Sequence, residues 1–380
     1  MKKIIIIGAG KIGSTIFQLL NRLESLELTL ADTNSAALTA TENQKSGSTL
    51  LLANDYDFEI TFSKNNYDAV INAGPYFLSI PIAEAALSQG LSYFDLTEDV
   101  ASCEKIQQLA QSCHKGQIFM PQCGLAPGFI SILTRSLYDQ FETLESVQLR
   151  VGALPQFPTN QMLYNLTWST AGLVNEYCNR CQAIEQGQVI EQTALDGKEE
   201  FSLEGIRYEA FNTSGGLGTL TKTLAGKVEQ LNYKTVRYPG HRNLMKFLLK
   251  DLKFQQPDKR RELVQLLDQC IPATTQDVVL IMVTVTGIIK PTCQQANTPG
   301  NGINNYQELT ELRRIYHQAI NSPDGSSKNY SAIQICTAAS LCAVIELWIQ
   351  GALNHSGFIC QESILLEQFY QTHYGKYLLP

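Results

Sequence analysis

Gly8-Ala9-Gly10-Lys11-Ile12-Gly13 matches the pattern G-x-G-x-x-G, and its surroundings give the match weight. It follows the β-branched run Lys3 to Ile7 and opens a stretch where Ile12, Ile16, Leu19, Leu20 and Leu23 recur at helical spacing. A second apolar run, Leu28 to Ala31, then ends at Asp32. Strand, glycine turn, helix and strand form the context of a dinucleotide fingerprint. Gly8 would make the tight turn, Gly10 would admit a pyrophosphate to backbone N–H groups, and Gly13 would let helix and strand pack closely. Ala9, Lys11 and Ile12 complete the expected cradle, where the helix dipole favours an anion. Asp32, 19 positions beyond Gly13, stands where a carboxylate accepts from ribose hydroxyls. It would repel a 2′-phosphate, and Thr33-Asn34-Ser35 brings no Arg to compensate. The expected cofactor is therefore NAD rather than NADP.

Further candidates lie where strands are expected to end. Asn72-Ala73-Gly74-Pro75-Tyr76 closes the Asp68 to Asn72 run; Asn72, Ala73 and Gly74 are small enough to let the cofactor ring approach, and Tyr76 can face the cleft. Asp95 ends the next strand and is a candidate proton acceptor, with an N-cap or turn carboxylate as the plainer reading. Gly124-Leu125-Ala126-Pro127-Gly128-Phe129 reads as a hinge. In Lys234 to His241, the Arg237 fork suits a bidentate bond to a substrate carboxylate, and His241 is the one histidine beside another candidate.

Other patterns carry less. Cys178 and Cys181 form C-x-x-C, but no second pair follows at zinc spacing, and the five histidines make no paired motif, so no metal site is expected. Ser214 to Thr219 is glycine-rich but lacks the lysine of a phosphate loop, and reads as the start of a helix.

These residues need elements to hold them. From Lys2 to about Gln122, short apolar runs (Asp68 to Asn72, Leu91 to Phe94, Gln117 to Met120) alternate with helical patterns (Ile80 to Gln89, Val100 to Lys115), which predicts a Rossmann-type, doubly wound parallel sheet of class α/β. Past Gly124, expected strands at Glu145 to Val151, Gln188 to Glu191, Glu204 to Phe211 and Asp277 to Thr286 mix with helices at Thr170 to Cys181, Thr219 to Glu229 and Leu244 to Lys250. That mixture predicts an antiparallel α+β domain. Gln294 to Asn305 reads as an exposed loop. The character of the pattern changes near Gly124, and the apolar helix after Ser331 could belong to either domain.

With 380 residues, 44% of them hydrophobic, the chain is long enough for a sizeable core. Lys and Arg total 29 against 36 Asp and Glu, a net charge of −7 that disfavours nucleic acid and anionic lipid as partners. Ten scattered cysteines fit a reducing cytoplasm better than a disulfide framework. Ile4 to Ile7 is too short for a signal core. Ala332 to Ile349 is apolar, yet Gln334 and Glu346 mark it as a buried or subunit-interface helix rather than a membrane span.

Together these runs resemble the saccharopine dehydrogenase family, its lysine 6-dehydrogenase-like branch in particular. The resemblance is carried by Ile7 to Gly10, Asn72 to Tyr76, Gly124 to Gly128, Val151 to Pro155, Trp168-Ser169, Gly172 to Tyr177, Arg237 to His241 and Asp277 to Gly287. It implies a dinucleotide-binding (Rossmann) domain over 1–123, an inserted α+β substrate and dimerisation domain over 124–330 and a C-terminal helical return toward the Rossmann domain over 331–380, in a homodimeric enzyme that uses a nicotinamide cofactor to oxidise a carbon bearing nitrogen in a lysine-type amino acid. The substrate would enter between the domains, Arg237 would bind its carboxylate, Tyr76 and His241 would line the pocket, and Asp95 or His241 would accept a proton. Glutamate-forming saccharopine dehydrogenases look like G-L-D-P-G at the hinge and carry Cys before G-G-L-P; here Ala126, Val151 and Ala153 stand at those places, which favours direct oxidation of a shorter amino acid. Saccharopine dehydrogenase proper, a carboxynorspermidine dehydrogenase-like enzyme and a non-catalytic nicotinamide-binding regulator are the alternatives.

Overall fold

A computed structural model describes residues 1–39, 47–53, 57–293, 306–316, 318–321, 327–353 and 356–379; the expected loop Gln294 to Asn305 lies outside them. It divides into two compact units, one made of Met1–Phe129 with Gln334–Leu379, the other of Ile130–Ile333.

The first unit is built on strands β1 (Lys2–Ile7), β2 (Leu26–Asp32), β3 (Ser48–Leu51), β4 (Ala69–Asn72), β5 (Ser92–Asp95) and β6 (Ile118–Met120), with a short last strand, Gly357–Phe358. All pair in parallel, in the order Gly357–Phe358, β6, β5, β4, β1, β2, β3. Ile4, Ile5 and Ile6 are wholly buried, as strands covered by helices on both faces require. The sheet order reverses beside β1, so the crevice that takes ligands in such sheets opens at the carboxyl ends of β1 and β4. The apolar helix Ala332–Ile349 is long enough to cross a bilayer but is mostly buried. Its Trp348 packs edge-on against Phe94 of β5, and Tyr374 beyond it donates to the Leu19 carbonyl at 2.6 Å.

The second unit carries β7 (Phe141–Pro155), β8 (Cys181–Glu185), β9 (Gln188–Gln192), β10 (Glu199–Leu203), β11 (Ile206–Asn212), β12 (Val228–Arg237), β13 (Asp277–Ile289) and β14 (Tyr306–Tyr316). Six run in the order β10-β11-β12-β7-β13-β14, with β8 joined to β12 and β9 to β8. The expected antiparallel sheet is corrected to a mixed one, because β12 lies parallel to β7. The helix expected over Thr219 to Glu229 is only Leu220–Leu224, after which the chain turns at Gly226 into β12. The helix at Thr170 stops at Cys178, so Cys178 and Cys181 share no helical face.

Candidate active site

The glycine turn sits at the carboxyl end of β1. Gly8 has φ +105°, and a Cβ there would lie 2.9 Å from the Ala73 carbonyl. A Cβ on Gly13 would meet the Gly8 carbonyl oxygen at 1.8 Å, so the helix Lys11–Leu20 packs this closely only on glycine. Gly10 faces open space, with nothing within 4 Å of where its Cβ would be. It is the N-cap of that helix, and no side chain caps the helix in its place. Its first N–H groups are thus left for an anion, and the residues fit a dinucleotide's diphosphate. Lys11 is exposed and Ile12 half-buried at this edge; Ala9 is buried, donating its N–H to Asp32 Oδ2 at 2.6 Å. The other oxygen of Asp32 accepts from Asn34 N at 2.8 Å, which orients the carboxylate at the end of β2.

At the neighbouring strand end, the Asn72 amide is turned inward. Its Oδ1 accepts from Gly74 N at 3.0 Å and its Nδ2 donates to Ser79 Oγ at 3.1 Å. Asn72 therefore shapes the turn, leaving the half-buried backbone of Ala73 and Gly74 for a ligand. Tyr76 is half-buried, its ring 6.0 Å from that of Phe77.

Asp95 pairs in register with Asn72. It is wholly buried, accepting from Tyr93 OH at 2.7 Å, Gln122 N at 2.8 Å and Thr97 N at 3.1 Å. Burial raises its pKa to about 6 against the pull of these donors. Three residues on, Glu98 is half-buried in the loop at the same strand end. No other residue's donor reaches its carboxylate among the described residues, and burial, with the charges of Asp99 and Asp95, raises its pKa to about 7. Asp99 is committed to capping the helix Val100–Leu109, accepting from Ser102 N at 2.8 Å. Sequence reasoning passed over Glu98; the signal was the run of acids just past a strand end.

In the second unit, Arg237 ends β12 and is 3% exposed. Its Nε donates to Tyr177 OH at 3.0 Å and its Nη1 to the Val236 carbonyl at 2.9 Å, while the guanidinium lies 5.3 Å over the Tyr164 ring. Glu176 acts on it through space, but among the described residues no acidic side chain forms an ion pair with it. Tyr177 lies on the helix Thr170–Cys178, which Ser169 caps by accepting from Gly172 N at 3.1 Å. Gly240, at φ +107°, turns the chain into the helix His241–Lys246. His241 is wholly buried, Nε2 3.2 Å from Tyr177 OH and Nδ1 3.0 Å from the Met162 carbonyl oxygen. Burial, with the neighbouring Arg237 charge, lowers its pKa to about 3. Tyr164 and Tyr177, which hold this group together, were not singled out from the sequence. Among the described residues no cluster of potential metal ligands occurs.

Two family models match: the saccharopine dehydrogenase NADP binding domain over residues 4–120 and the saccharopine dehydrogenase C-terminal domain over residues 124–376. The chain is similar to mitochondrial alpha-aminoadipic semialdehyde synthase of Mus musculus, 20% identical over 199 residues, which take in 50% of this chain and 21% of that protein. The Rattus norvegicus protein gives the same figures. The match thus spans about a fifth of the length of these curated relatives. Among solved structures, apo saccharopine dehydrogenase (L-Glu forming) from Saccharomyces cerevisiae superposes with a TM-score of 0.71 at 13% identity, covering 97% of this chain and 95% of that one, a likeness of fold. With family models over both its parts and a glycine turn that fits a dinucleotide, the chain belongs to the saccharopine dehydrogenase family of nicotinamide-dependent oxidoreductases.

Proposed function

We propose that the chain oxidises a C–N bond of a lysine-type amino acid, as a lysine 6-dehydrogenase-like enzyme that releases ammonia. The observation that carries this reading is Arg237, a buried guanidinium held by a phenol hydroxyl, a peptide carbonyl and the face of the Tyr164 ring, with no acidic side chain paired to it among the described residues. A buried cation without a paired anion is costly, and a carboxylate on the substrate would complete it.

Gly8, Gly10 and Gly13 would hold the diphosphate, and Asp32 the adenosine ribose; the carboxylate supports NAD over NADP, although the matching family domain is described as NADP-binding. The bound nicotinamide supplies a hydride acceptor. On the protein side, the substrate ammonium must first lose a proton. Asp95 and His241, expected for that step, are sealed from solvent with their polar atoms engaged, which fits holding roles. Glu98 is the better base: it follows β5, the strand paired with β4, lacks a donor from any other residue among the described ones, and burial brings its pKa to about 7. The N–H bond breaks, the electron pair stays on nitrogen, and the proton passes to the Glu98 carboxylate.

The test is an amine panel with NAD and NADP, followed at the reduced-nicotinamide absorbance. Turnover of L-lysine with NAD is the expected result. Preference for saccharopine or carboxynorspermidine would replace the assignment with the corresponding dehydrogenase. Cofactor binding without turnover of any amine would favour a regulator, and tighter binding of NADPH than NADH would reverse the cofactor choice. We also propose a homodimer built on the second unit, to be checked by light scattering, and a cytoplasmic setting, which the ten free thiols support.

A further inference from the structure

We propose that Tyr177 and His241 are positioning residues that aim Arg237 at its ligand, with His241 held as the neutral Nδ1–H tautomer. The inference rests on the reading of Arg237 as a carboxylate receptor and adds what keeps that receptor in place.

The direction of each hydrogen bond follows from chemistry. The Met162 carbonyl can only accept, so His241 Nδ1 carries the hydrogen across 3.0 Å. A second proton on the ring is opposed by its complete burial and by the charge of Arg237. Tyr164 and Tyr177, the other titratable groups stacked against the ring, stay neutral because burial raises both. Nε2 therefore offers a lone pair, and the Tyr177 hydroxyl donates to it at 3.2 Å. With its proton committed, the phenol oxygen turns its lone pairs toward Arg237 Nε at 3.0 Å. The chain of donors runs one way: Arg237 to Tyr177 to His241 to Met162.

This arrangement fixes one edge of the guanidinium without neutralising it. A carboxylate in Tyr177's place would hold Arg237 more tightly but would consume the charge that a substrate needs. A phenol holds the orientation and leaves the charge. Because the imidazole has no accessible proton to gain between pH 5 and 9, the support is insensitive to pH over that range. The same fact removes His241 from proton transfer.

The test uses the full chain with saturating NAD and L-lysine as the probe. Tyr177→Phe should raise KM for L-lysine about tenfold, the cost of losing one hydrogen bond to a charged group, with kcat and NADH affinity little changed. His241→Phe should do the same, the double variant should add little to either single one, and His241→Gln, which keeps one donor and one acceptor, should restore most of the affinity. Equal losses of NADH and L-lysine affinity, or additive effects, would overturn the proposal. A second measurement needs no substrate: nitrogen NMR of histidine side chains, with His241→Gln identifying the signal, should show one tautomer that does not titrate from pH 5 to 9. A His241 signal that titrates in this range overturns the proposal whether or not L-lysine is turned over. If the wild-type chain oxidises no amine, the functional reading fails and the NMR signature alone decides the inference.

Discussion

Two buried arginines in the second unit sit in matched backbone settings and differ in what completes them. Arg150 on β7 and Arg237 on β12 are each 3% exposed, and each donates Nη1 to the carbonyl of the residue before it at 2.9 Å. Arg150 then forks onto Glu199, which also accepts from Lys234 at 2.6 Å, and its Nη1 reaches Asn232 at 2.7 Å. Four of its five N–H donors are engaged, and its charge is already met by a carboxylate. Arg237 has the Tyr177 hydroxyl and the face of the Tyr164 ring instead, with no acidic side chain paired to it among the described residues. The first unit repeats the contrast in carboxylates: Asp95 is satisfied by three donors, while Glu98 accepts from no other residue among those described. Burial alone therefore does not mark a functional charge; an unfilled set of partners does.

The sharpest way to break this contrast is at Glu98. Glu98→Gln should lower kcat at least about a hundredfold, the usual reach of a general base. Wild-type kcat should rise as pH passes about 7, because the carboxyl accepts a proton only once it has ionised, and the variant should lose that rise. A parallel pH profile in both would remove Glu98 from the step. Next in size, Arg237→Ala should raise KM for L-lysine by about thirty- to a hundredfold with NADH binding unchanged. Arg150→Ala should leave KM alone and lower thermal stability, by about 1–3 kcal/mol once the partial exposure of Glu199 is discounted. If it shifted KM as Arg237→Ala does, the two sites would not be distinct. The smallest expected effect is Asp95→Asn, with kcat within about threefold of wild type given an acceptor on the same side-chain framework. Its signature lies in stability. The folded pKa of Asp95 is raised from 3.8 to about 6, so ionising it costs more in the folded state. The wild type should therefore lose ground to the variant as pH climbs from about 4 through 6, and hold level with it below that window.

The first unit was readable because its signals are local. β-branched runs, helical periodicity and glycines that no other residue can replace lie within a few positions of one another, and Gly8, Gly13 and Asp32 stand where the pattern places them. The second unit was less so. β7 is a central strand buried on both sides over its last seven residues, which erases the alternation that marks a strand and explains why only its middle was expected. The site's chemistry was hardest to read, because a residue type does not disclose its partners. Arg150 meets Glu199, 49 residues away, and Arg237 meets Tyr177, 60 residues away. Only the fold reveals which arginine is already paired. Asp95 and His241 could be singled out by residue type and position, but their sealed settings depend on Gln122 and Met162, contacts that no spacing rule supplies.

The first unit draws on two segments far apart in the sequence, since the strand Gly357–Phe358 joins a sheet that includes Lys2–Ile7 and the helix Ala332–Ile349 packs against it. During translation, then, the glycine turn emerges early but must wait for a segment made after the second unit before its layer closes. The ribosome would deliver the second unit whole while the first still shows an uncovered apolar flank, a period in which a chaperone has most to shield.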